Sequence, residues 1–156
     1  MPTVDDLFKM EEGFRGTLYD DATGKPIVPC WTVIGHPTAG WGFALDTCPL
    51  DQVEADFIFA RRLARATAAA IIDLGAADWK RLDDVRRAAL TSMAYQMGAA
   101  GLAAFKNTLA AVRAVNWQAA HDGVMASDFA KETPGRAGRD ATMLLTGEWP
   151  AGLAKA

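Results

Sequence analysis

Glu11-Glu12-Gly13-Phe14-Arg15-Gly16-Thr17-Leu18-Tyr19-Asp20-Asp21 is the stretch over which this chain changes character. Upstream of it, Thr3 to Glu12 reads as a short amphipathic helix. Thr3 stands where an N-cap is needed, with Asp6 three residues on in the capping-box position. Val4, Leu7 and Phe8 form the apolar stripe, and Gly13 suits the C-terminal stop. Downstream, from Phe14 to about Pro49, Gly16, Gly24, Pro26, Pro29, Gly35, Pro37, Gly40 and Gly42 break the chain into short runs. Thr17-Leu18-Tyr19, Trp31-Thr32-Val33-Ile34 and Trp41-Gly42-Phe43-Ala44 are too short for stable helices and read as strands of a small sheet.

From Asp51 onward the pattern is helical. Asp51 with Glu54 opens a long helix that runs to about Leu74 and stops at Gly75. Val53, Phe57, Ala60, Leu63, Ala64, Ala70, Ile71 and Leu74 approximate one face of it. Shorter helices are predicted at about 82–96, 102–114, 117–126 and 136–145, separated by Gly98, Gly101, Asn116 and Thr133-Pro134-Gly135. The fold class is therefore α+β and mainly helical: a small N-terminal β lobe over about 14–49, then a helical lobe over about 51–156 joined by the N-terminal helix 3–12. The 156 residues fit one domain, 1–156, with a cleft between lobes where a polymer would lie.

Composition excludes several classes. No apolar run approaches the length of about 20 residues that a membrane span needs. The formal charge of −3 argues against nucleic acid as a partner. Met1-Pro2-Thr3-Val4-Asp5-Asp6 has neither a basic n-region nor an apolar h-region, so no signal peptide is expected and the chain should fold in a cytoplasm. Cys30 and Cys48 are too few for a disulfide scaffold or a zinc site; free thiols and a single bridge both stay open. No metal and no cofactor are implied.

Chemistry must then come from carboxylates, hydroxyls or histidine. Glu11, Glu12, Asp20 and Asp21 cluster where the first helix gives way to the β zone. Glycoside hydrolysis needs two carboxyl groups facing the scissile bond, one protonated and one ionised. Glu12 closes a helix, where the macrodipole disfavours negative charge.

Glu12-Gly13-Phe14-Arg15, then Tyr19-Asp20-Asp21, then Thr38-Ala39-Gly40-Trp41-Gly42 resembles the signature of the bacteriophage lysozymes, glycoside hydrolase family 24, the muramidases used as endolysins. The likeness continues through Tyr95-Gln96-Met97-Gly98, Phe105-Lys106-Asn107-Thr108, Asn116-Trp117-Gln118, Thr133-Pro134-Gly135-Arg136 and Thr146-Gly147-Glu148-Trp149, in order along nearly the whole chain.

The resemblance implies a lysozyme-like two-lobe fold and hydrolysis of the β-1,4 bond between N-acetylmuramic acid and N-acetylglucosamine. It implies Glu12 as general acid, with Asp21 and Thr38 holding the attacking water in an inverting reaction; Asp21 as a covalent nucleophile is the minor alternative. Glu11 and Asp20 have the same nine-residue spacing as Glu12 and Asp21, and the flanking motifs favour the latter pair. Thr32 in Thr32-Val33-Ile34-Gly35-His36 imitates Thr38, but Gly40 and Gly42 give Thr38 the required spacing and let a sugar approach the backbone. Thr38 follows Asp21 by seventeen residues where the family's short form has six, which implies an insertion around Pro26–Pro37. Phe43 stands where the family commonly carries His or Arg.

Arg136 matches the family arginine near the catalytic acid, while Arg139 reads as an exposed helix residue. Tyr95, Gln96 and Thr108 match positions that touch glycan or stem peptide. Phe105 and Trp117 read as core, His36 and His121 as surface or structural residues, and Trp31 and Trp41 as either cleft or sheet packing. The implied partners are peptidoglycan strands and, for access to them, a membrane-permeabilising holin. The enzyme is expected as a monomer, held in the host cytoplasm until release to the periplasm and wall.

Overall fold

The computed structural model describes residues 3–152; Met1, Pro2 and residues 153–156, which the expected domain also takes in, lie outside the described residues, as do the side chains of Asp5 and Phe8. Contacts divide the chain into two units, Met1–Asp56 and Phe57–Ala156.

The first unit opens with α1, Val4–Glu12. Its capping box is complete: Thr3 Oγ1 accepts from the Asp6 N–H, and the Asp6 carboxylate accepts from the Thr3 N–H at 2.8 Å. Gly13 ends it at φ 63°, its N–H returning to Lys9 O. Val4 and Leu7 of the predicted stripe are exposed. A three-stranded antiparallel sheet follows in the order β1 (Arg15–Asp20), β2 (Pro37–Gly40), β3 (Phe43–Ala44). Tyr19 pairs with Thr38 and Asp20 with Pro37, while Thr38 also faces Ala44 on the other side.

One predicted strand is absent. Trp31–Ile34 is irregular because the Ile34 and Gly35 N–H groups donate to the Asp20 carboxylate instead of a neighbouring strand. Cys30, at φ 67°, turns the chain just before it. Trp41 and Gly42 likewise form the β2–β3 turn, and only Phe43-Ala44 of that run is strand.

The division between units falls inside α2, Gln52–Leu74, which starts and stops as predicted. Asp51 and Glu54 cap it reciprocally, at 2.8 and 3.0 Å. Its buried face is narrower than the periodicity indicated: Ala66, Ala70 and Leu74 are buried, whereas Val53, Phe57 and Leu63 are exposed. The second unit continues with α3 (Ala76–Arg81), α4 (Asp84–Ala103), α5 (Lys106–Arg113), α6 (Trp117–Met125), α7 (Asp128–Glu132) and α8 (Pro134–Thr146).

The helices α3 and α7 went unpredicted because each is a turn or two long, with α7 started by Ser127 capping the Ala130 N–H. Residues 99–103 extend α4 across a kink at Gly98 (φ 74°, ψ 172°) rather than opening the next helix. The last helix starts two residues early because Pro134, its N1 residue, already has the φ a first turn needs. α8 packs on α4, α6 and α7, and α6 packs on α5. The core they close holds Leu74, Leu90, Met93, Leu102, Val112, Val124 and Leu144, with Phe105 and Trp117 packed against it as expected. No described helix is long and apolar enough to cross a membrane.

Candidate active site

Two neighbouring aspartates at the end of β1 have opposite environments. Asp20 is completely buried, and its carboxylate accepts from the N–H groups of Ile34 (2.9 Å), Gly35 (3.0 Å) and Ala22 (3.1 Å). The Ile34 N–H is the main reason its carboxyl is held below the ordinary range; burial opposes this, and the Gly35, Ala22 and Thr23 amides reinforce it. This carboxylate is committed to fixing the loop at Ile34 and Gly35 over β1.

Asp21, one residue on, is exposed. Its Oδ1 accepts from the His36 N–H at 2.6 Å, and its own N–H donates to His36 O at 3.1 Å. Thr38 Oγ1 donates to the same His36 carbonyl at 3.1 Å, from a buried position on β2. His36 therefore joins the two residues expected to handle water through its backbone. Gly35 makes this possible, because a Cβ there would fall on Asp21 Oδ1.

Glu12, at the end of α1, is exposed and lies over the β2–β3 turn. A Cβ on Gly42 would collide with Glu12 Oε2 and come within 2.9 Å of its Cδ. The space expected to admit a sugar at Gly42 is thus occupied by the Glu12 carboxylate. Gly40 is crowded in the same way by the Phe43 ring, whose Cδ2 would lie 2.8 Å from a Cβ. Packing on Gly40 is what Phe43 supplies in place of a charged side chain. Trp41 packs against Phe14 at 5.2 Å between ring centroids, with Lys9 Nζ 5.9 Å from its ring, whereas Trp31 is exposed beside Lys25. Arg15 does not join the carboxylates; it bonds Gly24 O at 3.1 Å and lies over the Tyr19 ring. Cys30 and Cys48 are both free and exposed.

The second unit carries the remaining candidates. Arg136 Nη1 donates to Gln96 Oε1 at 2.7 Å, joining α8 to α4. Tyr95 meets Phe59 at 5.9 Å and lines, with Arg136 and Asp140, a cleft of about 600 Å³. Gln96 and Thr108 line a different cleft of about 920 Å³, together with Phe105, Asn107, Ser127 and Glu132. Thr108 is buried in its floor, in space that Gly123 leaves by lacking a side chain. Arg139 is exposed as expected. His121 is paired with Asp122 at 2.8 Å near the surface.

Sequence reasoning missed Gly35, the backbone role of His36, and Asp46, whose carboxylate meets His36 Nδ1 at 3.0 Å. The Gly35-His36 pair was visible only as an imitation of the Thr motif, and nothing marked Asp46.

Residues 9–139, most of the chain, match the profile of the family described as phage lysozyme. The chain belongs to the phage lysozyme family. Among curated proteins it is similar to the pre-baseplate central spike protein Gp5 of Enterobacteria phage T4, 25% identical over 168 aligned residues. That alignment covers 91% of this chain but 27% of the spike protein, so the chain spans about a quarter of that relative's length.

Proposed function

We propose that this phage lysozyme is a muramidase that cleaves the β-1,4 bond from N-acetylmuramic acid to N-acetylglucosamine, with Glu12 as acid and Asp21 and Thr38 as the water-holding pair. Protonated Glu12 donates to the glycosidic oxygen as the bond to the anomeric carbon breaks. Water held by the Asp21 carboxylate and the Thr38 oxygen attacks that carbon from the opposite face and gives its proton to Asp21. The new hydroxyl replaces the leaving oxygen with inversion. Tyr95, Gln96 and Thr108 serve substrate binding and Arg136 a supporting role, residues 1–156 acting as one catalytic domain.

One observation supports this pairing above all: Asp20 has its carboxylate engaged by three backbone N–H groups, whereas Asp21 is exposed and shares His36 with Thr38. The rival pair of Glu11 and Asp20 would need a buried structural carboxylate to meet substrate.

Digestion of purified peptidoglycan tests the reading. Muramic acid at every new reducing end, released first as the α-anomer, is the expected result. Glucosamine at the new ends, or cleavage of chitin alone, would assign the chain a different bond. In cells the proposed role is host lysis, with the enzyme kept from the wall until a holin opens the membrane. The likeness to a central spike protein favours a second setting for the same chemistry, in which the lysozyme belongs to a phage particle. Its presence in purified particles would support that setting, and its restriction to the lysing cell would support the first.

A further inference from the structure

His36 lies in the irregular segment between Asp21 and Thr38, and its backbone and its side chain make two separate sets of contacts. The backbone N–H donates to Asp21 Oδ1 at 2.6 Å, and the carbonyl accepts from the Asp21 N–H and from Thr38 Oγ1, each at 3.1 Å. The imidazole Nδ1 meets both oxygens of Asp46, at 3.0 and 3.1 Å, across the open end of the β2–β3 hairpin. Next to this contact, the Leu45 N–H donates to Pro37 O at 2.9 Å. Asp46 thus ties residue 36 to the chain leaving β3. In an exposed, irregular loop, such a tie limits the movement of a backbone on which Asp21 and Thr38 both depend.

We infer that His36 is a positioning residue for the water-holding pair, clamped by Asp46. The inference rests on the reading of Asp21 and Thr38 given above. Among the described residues, the charged groups that face the imidazole are Asp46, from the segment after β3, and Asp21, from the turn after β1. The hydrogen bond and the charge of Asp46 hold the His36 proton on to higher pH than usual, with Asp21 adding to this against the effect of burial. The clamp is therefore strongest with His36 protonated and slackens as pH rises through its raised pKa, when a neutral ring retains a hydrogen bond but loses the charge.

The test compares the parent protein with Asp46→Asn, His36→Gln and His36→Lys on soluble peptidoglycan fragments across a pH series. Asp46→Asn is expected to lower kcat about tenfold with KM nearly unchanged, as for a small misplacement of reacting groups, and to move the alkaline fall in kcat to lower pH. His36→Lys, positive throughout, should keep more activity than His36→Gln and lose that alkaline fall. In an NMR titration of the parent, the residue 36 amide, which bonds Asp21, should shift in step with the imidazole. Unchanged kcat and pH profile in both Asp46→Asn and His36→Gln would overturn the inference while leaving the muramidase reading intact. Failure of the parent itself to cleave would overturn both.

Discussion

Among single residues, the Glu12 carboxylate and the Gly42 backbone occupy adjoining space, so the position of the proposed acid depends on a side chain that is absent. Gly42 also has φ 74°, which an L side chain adopts at a cost of about 1–2 kcal/mol. Gly42→Ala is expected to displace Glu12 and reduce kcat about 10- to 100-fold, while circular dichroism shows the fold retained. Near-parental kcat in a folded Gly42→Ala protein would mean that the acid works from another position. In the sequence, the context around Glu12 and Asp21 selects the proposed pair, and the Gly-x-Gly spacing selects Thr38 over Thr32. The burial of Asp20 was not legible, because it depends on Ile34 and Gly35 returning to β1 from fourteen and fifteen residues away. Local sequence carries no mark of where such a loop lands.

Among the elements, α4 and α8 show what tertiary packing adds to periodicity. Asp140 sits on α8 with its Oδ2 buried and without a hydrogen-bond partner among the described residues. Burial raises its pKa to about 6, against the Ser92 hydroxyl and the charges of Arg136 and Arg139. The folded protein therefore binds this proton more tightly than the unfolded chain does. Its contribution to stability is greatest below the ordinary value of 3.8 and is lost as pH rises through about 6. Allowing for partial solvent access, the loss amounts to about 2 kcal/mol. Asp140→Asn should be more stable than the parent by about that much near neutral pH and little different near pH 4, read from urea unfolding at the two pH values. Equal or lower stability of the variant near neutral pH would show that the ionised carboxylate has a partner.

Helix ends with sequence-local causes, such as the Thr3 and Asp51 caps and the Gly75 stop, were read correctly. The kink at Gly98 was taken for a stop because glycine is a common helix terminator, and only packing shows that Leu102 goes on into the core. The predicted strand at Trp31–Ile34 failed for the same kind of reason, since the N–H groups of Ile34 and the adjoining Gly35 bond a distant carboxylate.

At the scale of the whole molecule, the ordered set of motifs was the most legible feature, and the family match over residues 9–139 bears it out. The mainly helical α+β class follows from the same reading, with glycine- and proline-punctuated runs confined to the N-terminal third. The chain's net charge of −3 gives no long-range attraction to an anionic wall polymer. Lysis is therefore expected to change little between low and physiological salt, unlike that by strongly basic lysozymes, because there is little attraction to screen. Turbidity clearance of permeabilised cells over a salt series measures this, and a steep decline would reveal a basic patch that steers binding.

The proposed mechanism makes Glu12 the acid and Asp21, rather than Asp20, its partner. Release of reducing sugar from purified peptidoglycan by the parent, Glu12→Gln, Glu11→Gln and Asp21→Asn proteins tests it most directly. A loss of at least about a hundredfold is expected in Glu12→Gln, with a comparable loss in Asp21→Asn and near-parental activity in Glu11→Gln. Full activity in Glu12→Gln together with loss in Glu11→Gln would contradict it.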